Sequence, residues 1–225
     1  MRWLKVTAGL AVPGSVALFY AAFIFAPTEA FMGDVQRLFY IHVATAWNAY
    51  LCFAVVLFSG LAYLFRRAPR WDWLGASAAE VGVLFTTATL VSGSIWAKAV
   101  WGHWWTWEPR LTLTFITWLM YIGYLILRRS IANPEVRSRT AAVYGVLAFV
   151  NIPLVHYSVQ WWRSIHPFTI GSGRDALHPD MRTALMIATV AATLLAVTLL
   201  GLRQKTAVIE GRLDAGGLAG DGLRG

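Results

Sequence analysis

Six apolar stretches, each close to the length that crosses a bilayer as a helix, leave this chain few architectures. They lie near residues 4–26, 43–65, 74–96, 111–127, 141–160 and 183–202, and about 20 apolar residues span the ~30 Å hydrocarbon core at 1.5 Å per residue. In that medium every backbone N–H and C=O must find a partner inside the segment, so separate apolar stretches of this length are expected as helices. The fourth is the shortest. Only 13% of the 225 residues are charged and 58% are hydrophobic, against about 25% charged in a soluble domain. The fold expected is therefore an all-α membrane protein of six transmembrane helices, one domain over residues 1–202. Residues 203–225 are expected as a disordered cytoplasmic tail, because six glycines fall between Gly211 and Gly225 with no apolar period. The first stretch is too long for the apolar region of a leader, and Pro27-Thr28-Glu29 lacks a small-x-small cleavage pattern, so it is read as a span.

The net charge of +8 reports topology once the basic residues are placed. Thirteen of the 19 fall on one side of the six spans: Arg2 and Lys5; Arg66, Arg67 and Arg70; Arg128, Arg129, Arg137 and Arg139; Arg203, Lys205, Arg212 and Arg224. Arg37, Lys98, Arg110, Arg163, Arg174 and Arg182 fall on the other. The positive-inside rule then puts both termini in the cytoplasm, with the basic surplus facing anionic lipid rather than nucleic acid. Cys52 is the only cysteine and lies inside the second span. An internal disulfide, a thiolate metal cluster and covalent Cys-x-x-Cys-His haem attachment are all excluded, and Cys52 is expected as a core residue. No Gly-x-x-x-x-Gly-Lys-Ser/Thr occurs, so the chain cannot hydrolyse ATP by that route alone. Glu80 is the one awkward acidic residue inside a span, and snorkelling to the interface is its simplest account.

On this topology all five histidines (His42, His103, His156, His166 and His178) fall on or near the outer side. So does Trp101-Gly-His-Trp-Trp-Thr-Trp107-Glu-Pro-Arg110, preceded by Trp96, which puts five tryptophans in twelve residues. An interfacial aromatic belt spreads its tryptophans over many helix ends; this crowding in one loop points to a ligand platform. Trp101, Trp104 and Trp105 stand at i, i+3 and i+4 and would share one face of a helical turn. Indoles offer wide apolar faces and an N–H donor, which suits a flat macrocycle with polar edge groups. Pro109 should hold Glu108 out of helical conformation. Segment 27–41 has Phe31, Val35, Leu38, Phe39 and His42 at helical spacing and is expected to run into the second span. A haem needs axial ligands, for which neutral imidazole is the usual protein donor, and two ligands on opposite faces of the ring must come from different segments. His42 at the start of the second span and His166 past Trp161-Trp162 could approach the loop from either flank, with His156, inside span five, the rival for the second position. Arg37, Lys98, Arg110 and Arg163 are the cations nearest these motifs for two propionates, and arginine's planar fork suits carboxylate best.

At Asp34-Val-Gln-Arg-Leu-Phe-Tyr-Ile-His42, at the loop from Trp101 through Trp107-Glu-Pro-Arg110-Leu-Thr, and at Asn151-Ile-Pro-Leu-Val-His-Tyr-Ser-Val-Gln-Trp-Trp-Arg-Ser-Ile-His166, the chain resembles the CcmC family. These are haem-handling membrane proteins of cytochrome c maturation, within the tryptophan-rich haem-handling superfamily. The resemblance implies haem b bound at the outer face of the bacterial inner membrane, with His42 and His166 as bis-histidine axial ligands. It implies contacts from Arg37, Trp101 and Arg110, beside the other loop candidates Trp104, Trp105, Trp107 and Glu108. It further implies delivery to a periplasmic haem chaperone, CcmE, alongside the ABC transporter CcmAB and the small single-span protein CcmD. Two departures stand out: Trp-Glu-Pro where the family usually has Trp-Asp-Ala, and Pro167 after His166 where glutamine is common. The activity expected is binding and transfer of haem without bond-making catalysis. A membrane cytochrome b in quinol-linked electron transfer is the alternative.

The 13-to-6 basic bias generates a direct test of orientation. In a Cys52→Ala background, cysteines at Gly102 and Gly171 should react with an impermeant thiol reagent added to spheroplasts, and one at Ala132 should not; the reverse pattern would invert the topology.

Overall fold

The computed structural model describes residues 2–162 and 177–221, with 212–221 as backbone only. Among them six helical spans are long and apolar enough to cross a membrane, and no strand is present. The chain is thus an all-α, six-span protein. The helices are α1 (Arg2–Tyr20), α2 (Leu38–Arg66), α3 (Pro69–Trp101), α4 (Pro109–Ser130), α5 (Pro134–Phe149), α6 (Asn151–Trp161) and α7 (Pro179–Asp221). Four of the seven begin on a proline, the residue whose fixed φ and missing N–H suit the first helical position. Asn133 caps α5, its side-chain oxygen accepting from Glu135 N at 3.0 Å and Val136 N at 3.1 Å. As expected from its periodicity, the segment before α2 ends in a 3-10 turn, Asp34–Arg37, that runs straight into the helix.

The helices α2 and α3 form the central pair, packed along their lengths. Their approach depends on small residues, as it does wherever lipid leaves no hydrophobic drive between helices. A Cβ on Gly82 would lie 2.5 Å from Phe53 Cε1, so only glycine lets the phenyl ring seat there. Phe53 in turn stacks on Tyr121 of α4, centroids 3.7 Å apart. The lower half of the bundle closes as α5 packs on α2 and α4, while α7 packs on α2 and α3 and carries α1 on its outer side.

Span five, which the apolar pattern presents as continuous, is broken at Val150 into α5 and α6. Pro153 cannot donate to the Phe149 carbonyl, and its ring crowds it. The break has a large consequence. The face of α2 that packs on α5 lower down, around Val56 and Gly60, continues upward as Val43, Ala46, Tyr50 and Phe53. There α6 packs on α4 and α5 instead of covering α2. Asn151 holds it in place, donating from Nδ2 to the Leu113 carbonyl at 2.8 Å and to Thr117 Oγ1 at 2.7 Å.

Two ion pairs stitch the opposite end of the bundle. Arg128 of α4 pairs with Asp72 of α3, Nη2 to Oδ2 at 2.8 Å, with side chains only 12% and 7% exposed. The Glu80 carboxylate accepts from Arg203 Nε and, at 3.0 Å, from Nη2. Glu80 is therefore neutralised by a partner on α7, and the snorkelling expected from sequence is replaced by pairing. Past Leu202, where the sequence suggests a disordered tail, α7 keeps helical backbone to Asp221. Gly211 lies against Trp73, 2.8 Å from its indole measured from an ideal Cβ, so packing carries the helix into a glycine-rich stretch that intrinsic propensity disfavours.

Arg128→Ala should strand the buried Asp72 carboxylate and destabilise the bundle by about 3–5 kcal/mol. Asp72→Asn combined with Arg128→Met should recover most of that loss. Thermal unfolding of the detergent-purified proteins reads both, and a single mutant as stable as the parent would refute the role of the pair.

Candidate functional site

Where α6 swings off α2, a cavity of about 180 Å³ opens between α2, α3 and α4 beneath the tryptophan loop. Its lining includes His42, Trp47 and Tyr50 of α2, Gly93, Trp96 and Trp101 of α3, Trp105 of the loop and Arg110 of α4. The cavity descends to Phe53, Thr86 and Thr117, so it reaches well into the bundle and is deeper than the outward-facing placement the sequence suggests.

His42 sits one turn into α2, half-buried, with its Nδ1 3.1 Å from the Thr89 carbonyl and 3.3 Å from Ser92 Oγ. Facing a carbonyl, Nδ1 must carry the proton and donate it, so the lone pair of this tautomer lies on Nε2. Ser92 Oγ spends its own proton on the Ala88 carbonyl at 2.7 Å and is left as an acceptor for the same N–H. This is the outer-shell arrangement that fixes ring orientation and raises ligand basicity in metal-binding histidines. Gly93 makes room for it: a Cβ there would stand 2.8 Å from His42 Cε1. The imidazole is flanked by Trp96 at 5.9 Å between centroids, and Trp96 continues to Trp101 at 6.0 Å and Phe39 at 5.9 Å.

The tryptophan loop departs from the helical turn expected of it. Gly102 adopts φ +78°, its N–H donating to the Lys98 carbonyl at 3.1 Å, and ends α3 at Trp101. Glu108 is extended at ψ 155° before Pro109, as the proline requires. Trp101, Trp104 and Trp105 therefore do not share one helix face. Trp101 and Trp105 line the cavity, whereas Trp104 is 59% and Trp107 75% exposed. Trp105 is wedged edge-on between Trp107 at 5.8 Å and Phe115 at 6.0 Å. Its buried indole N–H has no partner among the described residues, a donor suited to a carboxylate-bearing ligand.

The cations divide in the same way. Arg110 lines the cavity and has no ion-pair partner among the described residues. Arg37 lies outside the lining: Nη1 donates to the Ala22 and Ala26 carbonyls at 3.2 and 3.1 Å, and Nε pairs with Asp34 at 3.0 Å. It clamps the π-helical turn Ala21–Phe25 that ends the first span. Lys98 donates to the Gly102 carbonyl at 2.9 Å and lies 6.0 Å from the Trp104 ring centroid. His156 is exposed on α6, edge-on to Tyr157, and does not line the cavity. His103 and His178 are also exposed. His166 and Arg163 lie outside the described residues. Sequence reasoning missed Thr89, Ser92 and Gly93. Their only signal was a run of small and polar residues in α3, which has no meaning until α2 is laid against it.

Residues 1–217 match the family described as Heme exporter protein C, CcmC. The chain belongs to the CcmC family. It is 34% identical over 176 residues to Heme exporter protein C of Bradyrhizobium diazoefficiens, covering 77% of this chain and 67% of that one. It is 33% identical over 192 residues to Heme exporter protein C of Escherichia coli K12, covering 83% and 76% respectively. Heme exporter protein C of Rhodobacter capsulatus is 30% identical over 196 residues, 86% of this chain and 81% of the relative.

Gly93→Ala leaves α3 intact, since alanine is the better helix former, but should push the His42 ring off the Thr89 carbonyl. The expected result is loss of the protected Nδ1–H signal in protein carrying 15N-labelled histidine; an unchanged signal would mean the clearance is not needed.

Proposed function

We propose that this chain binds haem b in the cavity under the tryptophan loop, at the periplasmic face of the bacterial inner membrane. From there it passes the haem to a periplasmic chaperone of the CcmE kind. Membership of the CcmC family makes the chain a multi-pass membrane component of haem handling in cytochrome c biogenesis; we take that role to be binding and transfer rather than catalysis. The observation that carries the finer reading is His42, an imidazole locked through Nδ1 on the Thr89 carbonyl within the lining of an aromatic cavity. Its Nε2 lone pair is the donor a haem iron takes.

The rest of the cavity suits the same cargo. Trp101 and Trp105 supply flat apolar contact for a macrocycle, and the Trp105 N–H and Arg110 guanidinium supply donors for propionates. The second axial ligand in this reading is His166, in line with the family pattern. The outward exposure of His156 supports that choice over its rival. The exposed Trp104 and Trp107 then belong to the outer surface of the loop, where a chaperone would dock. The basic bias of the segments supports placing both termini in the cytoplasm and the loop in the periplasm. The CcmD-like single-span protein and the CcmA- and CcmB-like transporter subunits complete the assembly proposed around it.

His42→Ala and His166→Ala should each lower haem retention and change the visible spectrum of the purified protein, while His156→Ala should leave both near the parent. In cells, loss of this protein should abolish c-type cytochromes. Normal levels in its absence would refute haem delivery and favour an electron-transfer cytochrome, in which quinol-dependent reduction of the bound haem would be the activity lost.

A further inference from the structure

Resting on the haem reading above, we propose that the cargo reaches this cavity sideways from the bilayer, through the gap between α2 and α4 at Trp47, rather than from water above the tryptophan loop.

The gap follows from the break at Val150. Lower in the bundle the space between α2 and α4 is filled by α5, which packs on both; above the break α6 packs mainly on α4, and among the described helices none takes the place of α5 against α2. Trp47 marks the opening, because it lines the cavity and yet is 53% exposed. It lies five residues beyond His42 in the same helix, about 7.5 Å deeper at 1.5 Å per residue. The opening is therefore set into the membrane-spanning stretch of α2 and faces the side of the bundle.

The lining is graded along the same direction. Ala49, Phe53 and Leu90 give the deep end its apolar surface, and the Thr86 and Thr117 hydroxyls beside them donate to their own helices' carbonyls, while His42 and Arg110 stand near the loop. A flat amphiphile with an apolar body and carboxylates at one edge partitions into the bilayer with its carboxylates near the headgroups. In that orientation it meets the gap already aligned, with its body toward Phe53 and its carboxylates toward Arg110. Among the described residues the loop side is closed over by aromatic side chains. There the indoles of Trp101 and Trp105 form the roof, with Trp105 packed between Trp107 and Phe115.

Ala54 gives a handle on the gap that is not part of the cavity lining. It stands seven residues past Trp47 and four past Tyr50, on the same side of α2. The full chain carrying Cys52→Ala and Ala54→Cys is reconstituted in lipid nanodiscs, coupled to a bulky membrane-permeant maleimide after folding, and mixed with vesicles preloaded with haemin. The adduct should slow the rise of the haem absorbance about tenfold, equivalent to ~1.4 kcal/mol of added barrier, and leave the final spectrum unchanged. The same adduct on His103→Cys, at the exposed loop, should leave the rate unaltered. An unslowed rate with the adduct at position 54, or slowing from position 103 that equals or exceeds it, would overturn the lateral route while the haem reading stands. A parent protein that takes up no haemin would remove the haem reading itself, and the route with it.

Discussion

The seam between α2 and α3 is the contact on which the site depends. It is close because its residues are small where the helices touch, and that closeness lets a side chain of one helix reach a backbone carbonyl of the other. A helical carbonyl has a second lone pair beyond its i+4 hydrogen bond, and the His42 imidazole takes it at Thr89. Thr45 and Thr89 add a hydroxyl pair at 3.1 Å just below. Each such interhelical bond adds only about 0.6 kcal/mol on average in membrane bundles. Their value here is geometric: they select one imidazole tautomer and one ring direction.

Around that seam the remaining helices act mainly by covering or failing to cover it. The upper half would be a closed bundle if span five were straight. Pro153 prevents this by removing one helical hydrogen bond, and the Asn151 amide binds the displaced segment to α4 through the Leu113 carbonyl and the Thr117 hydroxyl. The cavity is thus a product of backbone chemistry in a helix that contributes no residue to its lining. At the other end the Asp72–Arg128 and Glu80–Arg203 pairs tie α3 to α4 and α7.

The candidate site also separates two jobs that the loop's composition conflates. Trp101 and Trp105 turn inward, and Trp104 and Trp107 turn outward, because Gly102 ends the helix in the left-handed region before the spacing can place them on one face. Arg110 and Arg37 separate likewise. One lines the cavity, while the other satisfies carbonyls that a π-helical turn leaves exposed at the end of the first span. Residue type alone could not tell these roles apart, since an arginine near a haem-like motif and an arginine capping a helix read identically.

Length and apolarity by themselves determined six helices and their order, because hydrocarbon admits no other way of satisfying the backbone of such stretches. Neighbouring residues placed the extended Glu108 before Pro109 and the helical lead into α2, and the order of the spans put His42 on the same side as the tryptophan-rich loop. Tertiary structure alone decided which histidine nitrogen is held, which tryptophans face inward, that Glu80 has an arginine partner, and that a cavity descends to Phe53. The imidazole and the Glu80 pairing each depend on a residue more than forty positions away, Thr89 for His42 and Arg203 for Glu80. Hydrophobic periodicity sets the face a helix buries but carries no term for the identity of the helix laid against it.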